Sequence, residues 1–224
     1  MTFSIAARDA KGAFGVAICS SSPAVAARCA AVRPGVGAAC SQNVTDPRLR
    51  ERLLHLLELG TAAETAVAQV VASAAHIEYR QLSAVGRDGV PASFTGGNAL
   101  GTSGAAEASD CVAAGNLLAH EGVPKAMTVA FERAGGQPMA RRLLAALSAA
   151  GTEGGEEGPV HSAGLLVAHD APWPVVDLRV DWTDGDPVAE LGVLLDRWEP
   201  QQASYVQRGL NPAGAPSFGV PGDE

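Results

Sequence analysis

Aromatic residues are scarce in this chain: two tyrosines, three tryptophans and five phenylalanines in 224 residues. Ala, Val and Leu must therefore fill the core, which favours closely packed layers. Lysine is scarcer, occurring only at positions 11 and 125. No apolar run approaches the roughly 20 residues of a spanning helix, and no charged segment followed by an apolar stretch opens the chain. A cytoplasmic protein with no membrane partner is expected. Cys19, Cys29, Cys40 and Cys111 lack C-x-x-C spacing, and the five histidines lack ligand spacing, so no metal and no cofactor is expected. There is no G-x-S-x-G elbow, and the glycine-rich stretch 94–104 lacks the lysine of a phosphate loop. With a formal net charge of −8 and no overriding basic cluster, nucleic acid is excluded as an expected partner.

What is present is enough for a core, at 47% hydrophobic and 18% charged residues. Segments 2–8 and 13–19 read as strands joined by a turn with Asp9 and Gly12. An Ala-rich helix or irregular segment over 23–32 precedes a third strand within "RPGVGAACSQN" (33–43). Asp46 and Pro47 open an amphipathic helix to about residue 59, and Thr61 with Glu64 forms a capping box for the next. A hairpin over 77–86 and 90–96, a strand over 111–119 and helices over 121–134 and 137–150 follow. "GTEGGEEG" (151–158) reads as a flexible acidic loop. Strands at 161–169 and 175–182 precede a helix from Asp186–Pro187 to about Trp198. The expected organisation is one domain over 1–198 and a Pro/Gly-rich tail over 199–224. Paired helices between antiparallel hairpins predict packed sheets with helical layers outside.

Strand character at residue 2 draws attention to Thr2. Removal of Met1 ahead of a small residue would leave a threonine whose own α-amine, with a pKa of about 8, can act as its base. The segments "MTFSIAARD", "GAFGVAICS", "RPGVGAACSQN", "GNLLA", "HSAGLLVA" and "VDLRVDWTDGDPVAELGVLLD" together resemble the domain-of-unknown-function 1028 family, grouped with the N-terminal nucleophile (Ntn) hydrolases. The resemblance spans about residues 2–197. It implies an α+β fold, a four-layer αββα sandwich of two mainly antiparallel sheets between helical layers. It also implies Thr2 as nucleophile and hydrolysis of a small-molecule, non-peptide amide. The alternative is a non-catalytic Ntn-like module for ligand binding or assembly. A homodimer or higher homo-oligomer is expected in either case.

Proteasome-type relatives place a lysine near the terminal amine. This chain has none between Lys11 and Lys125, so Arg33 is the candidate cation, acting only through its charge. Asn116, in the family's "GN" pair, joins Thr2 and Arg33 as a candidate catalytic residue. Ser20 and Ser21 follow the second strand and are expected at the Thr2 edge, to hold substrate. Gln42 and Asn43 end the third strand, where an amide could polarise a carbonyl, and backbone amides near Gly96 or Asn43 could form an oxyanion hole. Asp177, Arg179 and Asp181 share a strand face and read as an ion-pair network or a subunit contact, one carboxylate of which could orient the Thr2 amine. Adjacent strand residues point to opposite faces, which excludes His161 and Ser162 as a dyad.

Overall fold

The computed structural model describes residues 2–220. Strand β1 (Thr2–Arg8) returns through a turn as β2 (Phe14–Ser20). The Asp9 carboxylate accepts from the amides of Lys11 and Ala13, and Gly12 supplies a φ of +87°. Both strands are buried on both faces, because the sheet they centre is covered on each side.

The strand expected over 33–43 forms only from Gly37, and a further strand ends the segment expected over 23–32 to be helical or irregular. After a short helix α1 (Val25–Cys29), β3 (Ala30–Arg33) turns at Pro34–Gly35 into β4 (Gly37–Asn43). Pro34 has no amide hydrogen for a ladder, and Gly35 adopts a φ of +67°, so the chain reverses there. Helix α2 (Pro47–Glu58) is capped by Asp46 as expected. Helix α3 (Ala63–Ser73) is not: its cap is Ala62, with no side-chain bond. The Thr61 amide is bound to Leu56 O, which commits Thr61 to the end of α2 rather than the start of α3.

Strands β5 (Arg80–Gly86), β6 (Ala92–Thr95), β7 (Gly104–Glu107) and β8 (Cys111–Asn116) follow. β8 stops at Asn116 because Leu117 has a φ of 51°. Helices α4 (Val123–Arg133) and α5 (Met139–Thr152) precede β9 (Ser162–Ala168) and β10 (Pro174–Val180). Helix α6 (Pro187–Leu210) is capped by Asp186 and runs twelve residues beyond the expected end near Trp198, with Pro200 inside it. Tertiary contacts hold it up to the proline, where Trp198 Nε1 donates to Val175 O and Arg141 pairs with Asp196 and Glu199, and beyond it, where Val206 packs on the core and Gly209 lies against Trp173.

One sheet runs β10-β9-β2-β1-β8-β7, the other β3-β4-β5-β6, and all pairs are antiparallel. Helices α4, α5 and α6 cover the outer face of the first sheet over Phe3, Ile5, Leu143, Leu147 and Leu165. Helices α2 and α3 cover the second over Leu53, Val67, Val70 and Leu82. Between the sheets lie Ala6, Val16, Ile18, Ala38, Cys40, Val85 and Val112, mostly small side chains that let the sheets approach closely. The architecture is thus an α+β sandwich layered αββα. Among the described residues no helix is long and apolar enough to cross a membrane.

Candidate active site

β1 lies between β2 and β8, and its first residue sets the site. Thr2 pairs with Asn116 on one side, and Phe3 pairs with Cys19 on the other, which stands Thr2 opposite Ser20. Directly paired residues of an antiparallel ladder point to one face, and Ser4 in the same strand bonds Gln42 of the second sheet. Thr2, Ser20 and Asn116 therefore share the inner face, at one end of the sandwich. Cys19 faces the helical side with Phe3, and burial pushes its thiol well above the usual range, which removes it as a rival nucleophile.

From Thr2 a chain of polar groups leads outward. The Thr2 and Ser20 hydroxyls are 3.3 Å apart, the Ser20 and Ser22 hydroxyls 2.9 Å, and Arg28 Nη2 donates to Ser22 Oγ at 2.8 Å. The Ser22 amide also donates to Ser20 Oγ. Arg28 makes no ion pair among the described residues, and its guanidinium also donates to Pro23 O. Its position depends on α1 seating against β9: a Cβ on Gly164 would lie 2.2 Å from that of Ala26. Ser162 completes the support, donating to Ser22 O and accepting from Val25 N.

Arg33 is elsewhere. It binds Glu58 and Glu51 at 2.7 and 3.2 Å, and its ladder partner is Gly37, at the opposite end of β4 from Asn43. Six strand residues put it about 20 Å from the Thr2 end. The cation connected to Thr2 is Arg28, not Arg33. Arg33→Ala is accordingly expected to leave Thr2 chemistry unchanged and to lower stability by only about 0.5 kcal/mol, measured by urea unfolding.

Beneath the threonine the two sheets are tied by amides. Gln42, Gln81 and Asn116 are each 1% exposed or less. Gln42 Oε1 accepts from Ser4 Oγ at 2.7 Å, and Gln42 Nε2 donates to Gln81 Oε1 at 2.8 Å and Ala114 O at 3.1 Å. Gln81 Nε2 donates to Thr95 Oγ1 and Gly115 O, and its Oε1 also accepts from Asn116 Nδ2. Both Gln42 donors are thus engaged within the protein, and it holds the sheets together instead of polarising a substrate carbonyl. Among the described residues Asn116 Oδ1, which is buried, has no hydrogen-bond partner, an acceptor in the residue paired with Thr2.

Asn43 and Gly96 shape the rim. Asn43, at a φ of 74°, donates to Tyr79 O and accepts from Leu100 N, while Leu100 O accepts from Leu117 N. It staples the 96–101 loop to the end of β8. The Gly96 amide is bonded to Arg80 O, and a Cβ there would meet Glu78 O at 2.3 Å. That amide is engaged, so the expected oxyanion donor is not free at Gly96.

The loop read as flexible and acidic is folded under the site. Gly154, Gly155 and Gly158 take φ of 96°, 56° and 128°, turning the chain back after α5. Glu156 forms a β-bridge with Leu118 and is 4% exposed. Its carboxylate accepts from the Ser21 amide at 3.1 and 3.3 Å. Burial pushes this carboxyl up to about 7, against the opposing charge of the amino terminus, the Ser21 bond and His161. Because the folded-state value exceeds the unfolded 4.5, the stability from a neutral Glu156 is fully present below about pH 4.5 and lost as pH rises through about 7. Glu156→Gln should flatten that dependence by about 2 kcal/mol, compared by urea unfolding at pH 5 and pH 8.

Other candidates separate from this cluster. Arg179 clasps Asp177 on the edge strand β10, with β9 and β2 between it and β1, so that carboxylate does not reach Thr2. His161 stacks on Trp182 and bonds Thr183 O, away from the Ser162 hydroxyl's partners. A groove of about 1220 Å³ under α6 is lined by Asp9, Lys11 and His169, at the opposite end of β1 from Thr2.

The fold and site define a two-sheet α+β sandwich with a threonine, flanked by serine and asparagine, at the end of a central strand. A family model described as "Family of unknown function (DUF1028)" matches residues 2–191. The crystal structure of a DUF1028 protein from Silicibacter pomeroyi is 32% identical, with 92% of this chain and 94% of that one covered and a TM-score of 0.84. The chain belongs to the DUF1028 family. Anbu (ancestral beta-subunit) from Yersinia bercovieri also aligns, at 11% identity over 97% and 100% of the two chains, with a TM-score of 0.40. No functionally curated protein matches.

Proposed function

We propose that this protein is an N-terminal nucleophile hydrolase that cleaves a small, non-peptide amide with Thr2, after loss of Met1. The observation that carries the reading is the register: it places the first residue of the processed chain at the end of a central strand, between Ser20 and Asn116, on the face between the sheets. A terminal residue held this rigidly is unusual without a task. In the reaction the Thr2 hydroxyl oxygen attacks the carbonyl carbon and its proton passes to the α-amine. The C–N bond then breaks, the departing nitrogen takes that proton, and water hydrolyses the acyl ester to return the threonine. The Ser20–Ser22–Arg28 relay stabilises the negative charge that develops on the Thr2 oxygen as its proton leaves, and Asn116 Oδ1 offers an acceptor for a substrate N–H.

The test combines intact mass with a reactive probe. Untagged protein should lack Met1, and a small β-lactone should acylate Thr2, located by peptide mass spectrometry. A chain that keeps Met1 has no α-amine on Thr2 and leaves the ligand-binding reading in its place.

A further inference from the structure

A buried carboxylate without a cation is costly by several kcal/mol, and proteins pair it or neutralise it. Glu156 is such a group: it is 4% exposed and makes no ion pair among the described residues. Its location identifies a partner. β2 and β8 flank β1, about 10 Å apart. Beyond their last residues, Ser20 and Asn116, the chain runs on from both strands, and Glu156 touches both continuations, through the Ser21 amide on one side and the Leu118 bridge on the other. A residue joined to both lies across the end of β1. Gly155 packs beside β1 on its helical face, since a Cβ there would come within 3.4 Å of the Phe3 ring.

We propose that Glu156 is the positioning residue for the α-amino group of Thr2, holding the ammonium form in place and setting how readily it gives up its proton. The inference rests on the reading of Thr2 as the first residue of the processed chain. Burial alone would drive an amine toward its neutral form too early, and a facing carboxylate opposes that, bringing the amine closer to the working pH of a general base. The other charged group acting on Glu156 is His161, whose ring is held by Thr183 O and Trp182, and the Cys19 thiol is itself pushed up partly by Glu156.

The experiment is the pH–rate profile for trace acetylation of the Thr2 amine, read by mass spectrometry of the amino-terminal peptide, in wild type and Glu156→Gln. The glutamine keeps an acceptor for the Ser21 amide but carries no charge. The expected result is a profile displaced about one pH unit lower, with labelling at pH 6.5 about 5- to 10-fold faster. A second measurement needs no variant. Periodate converts the terminal threonine of the wild-type chain to an uncharged glyoxylyl group, and the Glu156 carboxyl, followed by carbon NMR, should then titrate about one unit higher. Superimposed amine profiles, or a Glu156 titration that does not move, overturn the inference. Where Thr2 is still acylated by the β-lactone, those results overturn it alone. Intact coupling without acylation of Thr2 overturns the nucleophile reading instead, and retention of Met1 overturns both.

Discussion

Thr2→Ala protein is expected to lose acylation by a small β-lactone by at least about 10³-fold, because no other hydroxyl combines this position with an adjacent amine. Ser20 is the nearest alternative, and its oxygen is already bonded to the Ser22 amide and hydroxyl. Stability should hardly change. The hydroxyl's contact with Ser20 Oγ is long, at 3.3 Å, and a bond of that kind is worth about 1 kcal/mol. The expected fall in Tm is about 2–4 °C for a chain of this size. Thr2→Ser should keep a tenth or more of the labelling rate, since the oxygen stays at the same register. Alanine, serine and threonine all permit removal of Met1, so the comparison isolates the hydroxyl. Equal labelling of Thr2→Ala, or an adduct found on Ser20, would end the case for Thr2.

Much of the scaffold around that threonine is legible in the amino-acid order, because local chemistry dictates it. Asp9 and Gly12 mark the first turn, and Asp46–Pro47 and Asp186–Pro187 mark two helix starts, all of which the structure contains. The antiparallel pairing of β1 with β2 follows from the short turn, and it alone delivers Ser20 to Thr2. The residues that the sequence hides are those whose role depends on distant contacts. Arg28 looks like any surface arginine of an Ala-rich stretch until Gly164 in β9 lets Ala26 settle against it. Arg33, chosen for its nearness in sequence to the third strand, fails because a turn at Pro34–Gly35 sends it to the far end.

Glu156 is the sharpest case. Acid and glycine in alternation have the composition of a solvated loop. Three glycines at positive φ and a bridge to Leu118 instead carry one of three glutamates in that loop into the interior. The usable signal was the glycine content itself, because glycine permits tight reversal as readily as disorder. Gln81 had a fainter signal: a large polar side chain at the start of a strand that is otherwise buried nearly throughout.

That glutamine gives the largest expected effect on stability. Gln81→Leu has nearly the same volume, so little of its cost comes from packing. What it removes is the hub of the inter-sheet network. Asn116 Nδ2 loses its Gln81 acceptor while Asn116 Oδ1 already has none, and Thr95 Oγ1 and Gly115 O lose a donor. Gln42 keeps only Ala114 O as an acceptor for Nε2. Buried polar groups left unmatched cost about 1–3 kcal/mol each, and partial relaxation brings the expected total to about 3–4 kcal/mol. In thermal unfolding that is a fall of roughly 8–12 °C. Because Asn116 pairs with Thr2, the β-lactone rate should fall as well, by about tenfold. Gln42→Leu separates network from bulk. If the two amides act as one tie between the sheets, the double variant should be more stable than the sum of the single losses implies, by about 1–2 kcal/mol, since replacing both partners leaves fewer orphaned groups. Strictly additive losses would mean that each glutamine is held independently, and that the end of β1 is organised by backbone pairing alone.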